Sequence, residues 1–276
     1  MVPFSAFLPI LWLVGLAFCY GTIIGSFLNV YIYRFHTGKS LSGRSHCLSC
    51  GTQLQWFELF PLFSYLCLGA RCRTCRCHIT SRYFLVELCT GVLFVAALLI
   101  SGTAFELIYL WIALAILVVI TIYDINHYII PDSLTVALLA LVGGWYLLRF
   151  FLFDVPLVVL GTDVLAALAG AGFFFLLWFV SKGQWIGFGD VKLAIPLGLM
   201  IGTAGVFSMV VFSFWIGAVV SLFLVFLSKL ARGKLRLHLR LQNLTIKSVV
   251  PFAPFMIAGC LLVLFTHLNV LALFTL

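Results

Sequence analysis

Eight apolar stretches divide this sequence, at about residues 7–33, 83–100, 104–123, 133–151, 163–181, 191–202, 205–227 and 249–265. A helix that crosses a hydrocarbon core of roughly 30 Å needs about 20 such residues. Backbone groups in lipid must find their partners inside the segment, so each stretch is expected to be a helix. The expected fold is therefore all-α: a polytopic membrane protein of about eight transmembrane helices. Composition removes the soluble alternatives, because 64% of the residues are hydrophobic and only 9% are charged, against about 25% charged in an ordinary soluble domain. A cytosolic enzyme, a secreted disulfide scaffold and a disordered chain are all excluded. The first stretch lacks a basic segment before it and runs too long for a cleaved signal peptide, so it is expected to remain as a helix.

The few charges are clustered. Placing Met1 outside puts segments 34–82, 124–132, 182–190 and 228–248 in the cytoplasm, and these, with Lys192 just past one border, hold 15 of the 16 basic residues. Cytoplasmic loops carry such an excess, so the N-terminus is expected to be extracytoplasmic. Arg149 is the one exception. The net charge of +8 is then a topology signal, and with no groove-reading motif beside it no nucleic-acid partner is expected. The lipid bilayer is the implied environment, and oligomeric state is not legible. No internal repeat stands out. The expected organisation is a first transmembrane helix over 1–33, a cytoplasmic module over 34–82 and a seven-helix membrane domain over 83–276.

That module, 49 residues long, is too small to build a strong core unaided. It contains Cys47-Leu48-Ser49-Cys50 and Cys72-Arg73-Thr74-Cys75, two C-x-x-C pairs separated by 21 residues. This is the spacing of a tetrahedral structural zinc site held by two tight knuckles. Disulfides are disfavoured in a cytoplasmic loop, where thiols stay reduced. Cys67, Cys77, His46 and His78 lie close enough in sequence to compete as ligands. Zinc with four thiolates carries a charge of −2, which Arg71, Arg73 and Arg76 could offset, and metal binding would supply much of the folding free energy. A closed site of this kind has no open position for catalysis. Cys19, Cys89 and Cys260 lie in apolar stretches and read as small core residues.

Among the eight acidic residues, Glu106, Asp154 and Asp163 fall at outer loops, where water can solvate them. Glu58 and Glu87 belong to the module and its exit. Asp124, Asp132 and Asp190 sit at the inner ends of apolar stretches, where an ionisable group is costly and is a functional candidate by default. Asp132 follows Pro131 before a helix and reads as a cap, and His127 as an interfacial loop residue. Asp124 and Asp190 fall on the same side although 66 positions apart. Two carboxylates held together in a partly dry site share one proton near neutral pH. One can then activate water while the other donates to a peptide carbonyl, as in aspartic proteases. Gly187 and Gly189 would let a peptide backbone approach Asp190, and Lys192 would either bias the pair or extend to the interface. The Gly-x-Gly-Asp sequence alone is a weak signal and fits a helix cap better than a catalytic site. A proton-coupled transporter remains an alternative, although its carboxylates belong near the bilayer midplane.

The chain resembles the type IV prepilin peptidase family over nearly its whole length. The resemblance is carried by Gly25-Ser26-Phe27-Leu28-Asn29-Val30, the two C-x-x-C pairs, Pro61 with Ser64-Tyr65-Leu66, Arg82-Tyr83 and Glu87-Leu88. It continues through Asp124, Ile130-Pro131-Asp132, Gly187-Phe188-Gly189-Asp190-Val191-Lys192-Leu193 and Pro251-Phe252-Ala253-Pro254-Phe255. It implies that Asp124 and Asp190 are catalytic and that Asp132 is not. The implied substrates are prepilins and type II secretion pseudopilins, cut at the cytoplasmic face of a bacterial inner membrane. The resemblance also implies that the new N-terminal residue, usually Phe, is then methylated with S-adenosylmethionine as the methyl donor. The chain departs from the family pattern at Leu59-Phe60 and Gly69-Ala70, in the region associated with methyl transfer. Glu58 and Glu87 are candidates for that second activity, the alternative being that they pair with nearby arginines. A presenilin-like protease shares the two aspartate motifs but has no zinc module. Residues 234–242 alternate basic and apolar and read either as a strand that pairs with substrate or as an interfacial edge.

Overall fold

A computed structural model describes residues 4–35, 40, 43–233 and 250–270; the alternating segment 234–242 lies outside them. The elements are α1 (Phe4–Arg34), a 3-10 turn (Trp56–Leu59), α2 (Phe63–Cys67), α3 (Arg82–Ile100), α4 (Ala104–His127) and α5 (Asp132–Leu152). They continue with α6 (Leu157–Val180), α7 (Phe188–Ile201), α8 (Val206–Gly233) and α9 (Ala253–Thr266). Each of the eight apolar stretches becomes one helix, and among the described residues the only β-pairing is two isolated bridges.

Six helices, α1, α3, α4, α5, α6 and α8, are long and apolar enough to cross a membrane. The other two, α7 and α9, have 14 residues each, about 21 Å at 1.5 Å per residue, and fall short of the roughly 30 Å hydrocarbon thickness. Proline punctuates the starts: Pro131 precedes α5, Pro156 precedes α6 and Pro254 lies in the first turn of α9. Gly202, at φ +69°, ends α7. The chain turns many large apolar side chains outward, including Leu11, Trp12, Leu165 and Leu222, as a lipid-facing surface requires. Cys19 and Cys89 are part of that exposed face and not of the core; of the three span cysteines only Cys260 is buried.

The chain packs as two compact units, residues 1–119 and 120–276, with α4 contributing to each. In the first, α1 lies along α3 through small residues, which allow close backbone approach between membrane helices. A Cβ at Gly21 would come within 2.8 Å of the Gly91 Cα, and one at Gly25 within 2.8 Å of the Glu87 Cα. Trp111 stacks on Phe94 at 5.1 Å and donates its indole N–H to the Phe94 carbonyl at 3.0 Å.

In the second unit α7 packs against α5, α6 and α9. A Cβ at Gly198 would meet the Ala167 Cα at 2.9 Å, so the same small-residue device joins α7 to α6. Asp163 corrects the expectation of a solvated outer acid: it is buried. Its Oδ1 accepts the Thr203 N–H at 2.8 Å and the Thr203 hydroxyl at 2.9 Å, and its Oδ2 lies 3.5 Å from the Arg149 guanidinium. Arg149, the one basic residue outside the predicted inner segments, is thus the partner of a buried acid at the end of α7.

Candidate functional site

The start of α7, opposite its Asp163 end, holds the two candidate aspartates. Asp124 lies in the last turn of α4 and Asp190 in the first turn of α7, with exposures of 5% and 7%. Each carboxylate accepts a backbone N–H from the start of a helix. Gly187 donates to the Asp190 Oδ2 at 3.1 Å, and Ala253, the first residue of α9, donates to Asp124. The positive end of a helix dipole favours an anion at such positions. The two carboxylates are close enough to act on each other electrostatically. Neither carboxylate forms an ion pair among the described residues, and burial makes two like charges side by side costly.

The glycines and Lys192 are placed differently from one another. Gly189 packs against α4's exit: a Cβ there would sit 3.1 Å from the Ile130 Cβ, so its missing side chain lets the chain close on itself around the pair. Gly187 is extended, at φ −74° and ψ 150°. The Lys192 ammonium pairs with Asp132, which opens α5, and lies 5.4 Å over the Phe188 ring. Its charge is engaged by Asp132. His127 belongs to the last turn of α4, not to a loop, and lies tilted against the Tyr123 ring with centroids 4.4 Å apart. Ala253 is the site residue that residue-type reasoning misses, because it contributes only a backbone N–H. Its sole sequence signal is the prolines around it, Pro251 two positions before and Pro254 immediately after, in Pro251-Phe252-Ala253-Pro254.

The module between α1 and α3 brings Cys47, Cys50, Cys72 and Cys75 together, with all four Sγ atoms within 4.8 Å of one another. A zinc ion with bonds of about 2.3 Å makes tetrahedron edges of about 3.8 Å, and the Cys47–Cys75 separation is 3.8 Å. The cluster could hold a metal ion. It is built on two turns related by a shift of 25 residues, a repeat that the sequence displays only in its cysteines. Cys47 donates to the Thr52 carbonyl at 2.9 Å and accepts from Gly51 at 2.9 Å; Cys72 donates to Cys77 at 2.9 Å and accepts from Arg76 at 3.0 Å. The bridges His46–Gln53 and Arg71–His78 obey the same shift, as do the positive φ angles of Gly51 (+73°) and Arg76 (+57°). Cys77 therefore occupies the position of Thr52, outside the two C-x-x-C pairs, although its Sγ is 3.6 Å from that of Cys47. Hydrogen bonding to the Thr52 side chain, then to its backbone, holds the Cys50 thiol at about 6, towards the thiolate that a metal takes.

Beneath this module lies a cavity of about 330 Å³ lined by residues of α1, α3 and the two cysteine turns, a size that suits a small-molecule ligand. Asn29, 2% exposed, lines it. Its amide donates to the Tyr83 carbonyl at 3.1 Å, but its Oδ1 is buried with no hydrogen-bond partner. Glu87 is buried too; its Oε2 accepts the Leu62 N–H at 2.8 Å and the carboxylate is hydrogen-bonded to Ser26. Among the described residues no Lys or Arg forms an ion pair with Glu87 or with Glu58. The Glu58 Oε2 instead accepts the Gln55 N–H at 2.7 Å, at the start of the 3-10 turn.

Six helices long and apolar enough to cross a membrane, with two buried carboxylates at helix ends and a four-cysteine cluster, give the features of a multi-pass membrane protein. Residues 19–101 match the bacterial peptidase A24 N-terminal domain, and residues 111–222 match the type IV leader peptidase family. A prepilin leader peptidase/N-methyltransferase of Burkholderia pseudomallei is 30% identical over 289 residues, covering 93% of this chain and 87% of that protein. One from Myxococcus xanthus is 36% identical, covering 75% of this chain and 62% of that protein. One from Bacillus subtilis is 28% identical, covering 91% and 93% respectively. The chain belongs to the type IV leader peptidase family. No solved structure matches it.

Proposed function

We propose that the protein is a bifunctional membrane enzyme. It cleaves the basic leader from prepilins and type II secretion pseudopilins and then N-methylates the new terminal residue. The names of its relatives support both activities. In cleavage, Asp124 and Asp190 hold one proton between them. The ionised carboxylate takes a proton from water as the water oxygen attacks the scissile carbonyl carbon, and the protonated one donates to the carbonyl oxygen. Collapse of the tetrahedral intermediate breaks the C–N bond, and a proton passes to the leaving amine. The observation that carries this reading is the burial of both carboxylates, each supported by its own helix-start N–H.

The skewed distribution of Lys and Arg supports a bacterial inner-membrane location with the N-terminus extracytoplasmic and the aspartates at the cytoplasmic face. Cys47, Cys50, Cys72 and Cys75 would hold a structural zinc ion. The unpaired Asn29 Oδ1 and the uncompensated Glu87 fit the cavity in the first unit to S-adenosylmethionine, which supplies an electrophilic methyl group when bound. A reconstituted assay with a pilin precursor tests the cleavage reading. Asp124→Asn and Asp190→Asn each abolish cleavage while Asp132→Asn retains it; cleavage by either of the first two removes that residue from the pair.

A further inference from the structure

Resting on the methyl-transfer reading, we propose that Glu87 and Asn29 form the recognition floor of the cavity under the cysteine turns. There the Glu87 carboxylate faces the positive sulfonium of the methyl donor. The Asn29 Oδ1 accepts a donor group common to that molecule and its neutral thioether product.

Three observations converge on this floor. Glu87 is a buried acid without a countercharge among the described residues, in a chain where the other strongly buried acids are accounted for. Asp163 faces Arg149, and Asp124 and Asp190 form the acid pair. A buried carboxylate with no cation is expensive unless a ligand supplies one. Asn29 is 2% exposed and retains an unpartnered Oδ1, whereas almost all buried polar atoms are satisfied; the missing donor is that of a bound molecule. The turn that Glu87 holds has an uncommon shape. Leu62, at φ 59° and ψ −49°, is the centre of a γ-turn closed from the Phe63 N–H to the Pro61 carbonyl at 2.5 Å, a conformation rare for a side-chain-bearing residue. The Glu87 carboxylate accepts the N–H of that same residue.

Glu87 therefore has two separable functions, holding the turn and presenting a charge. Glutamine keeps an acceptor oxygen for Leu62 and removes the charge, while its NH2 group can donate to the Ser26 hydroxyl in place of the bond that the carboxylate made there. Binding measured by calorimetry on the full-length protein in detergent discriminates between them, with S-adenosylmethionine and S-adenosylhomocysteine as probes. For Glu87→Gln, affinity for the sulfonium ligand falls about tenfold or more, or about 1.4 kcal/mol, and affinity for the thioether stays within about twofold. For Asn29→Ala, both ligands weaken together. If Glu87→Gln leaves both affinities unchanged, or lowers them equally, the charge assignment is overturned while the methyl-transfer reading stands. A wild-type protein that binds neither ligand overturns both. Thioether binding by Glu87→Gln also reports that the variant is folded.

Discussion

Cys75→Ser and Cys77→Ser, compared side by side, test the ligand set of the cysteine module most sharply. Distance alone does not separate the two thiols: the Sγ atoms lie 3.8 Å and 3.6 Å from Cys47, and both fit the edge of about 3.8 Å expected for zinc tetrahedra. The 25-residue register does separate them, because it pairs Cys50 with Cys75 and Thr52 with Cys77. Thr52 has no thiolate, so the symmetric site is built without its counterpart. Structural zinc in small modules is worth about 10–16 kcal/mol, or roughly 3 kcal/mol per thiolate, so losing one ligand weakens binding on the order of 100-fold. Metal content by mass spectrometry, after dialysis against a chelator of intermediate affinity, reads this directly. Wild type and Cys77→Ser retain one zinc per chain, and Cys75→Ser loses it. Zinc retained by Cys75→Ser but lost from Cys77→Ser would refute the register argument.

Two further predictions concern the frame around α7. Gly189→Ala brings a Cβ to 3.1 Å from the Ile130 Cβ and costs about 1–3 kcal/mol by overpacking. Gly143→Ala in α5, with nothing within 4 Å, leaves stability unchanged or raised by up to about 1 kcal/mol; thermal unfolding in detergent ranks the two. Asp163→Ala strips Thr203 of its acceptor and Arg149 of its countercharge, a loss of about 3 kcal/mol. Asp163→Asn keeps an acceptor for Thr203 and loses about 1 kcal/mol. An Asn variant as unstable as the Ala variant would show that the ion pair, not the hydrogen bonds, holds the end of α7.

The helices and both C-x-x-C pairs are legible in the sequence because they rest on local signals: runs of apolar residues, prolines at helix starts and short cysteine spacing. The features that are not legible are those made by distant backbone. Ala253 reaches Asp124 across 129 positions (253 − 124) through an N–H that no residue type advertises. The 25-residue duplication is hidden because the cysteines are the main side chains it repeats: Gly51 answers to Arg76 and Gln53 to His78, with only backbone conformation in common. Gly189 is conspicuous in sequence, yet what its missing side chain admits in the fold is Ile130.

The acidic residues show most clearly what three dimensions add to charge counting. Scarcity in a membrane isolates Asp124, Asp132 and Asp190 by position along the chain, but treats Asp163 as solvated and Glu87 as one carboxylate among arginines. Burial and partners sort them otherwise. Asp132 is the exposed partner of Lys192, which takes that lysine's charge from the pair. Asp163 explains why one arginine lies on the wrong side of an otherwise regular charge pattern, since Arg149 faces a buried acid at the far end of α7. α7 is thus held by a neutralised carboxylate at one end and presents an uncompensated one at the other. The fixed end restricts rotation and sliding of a helix too short to be anchored by the bilayer alone. Under the proposed mechanism, fixing that end keeps the Asp190 carboxylate placed relative to Asp124, as sharing one proton requires.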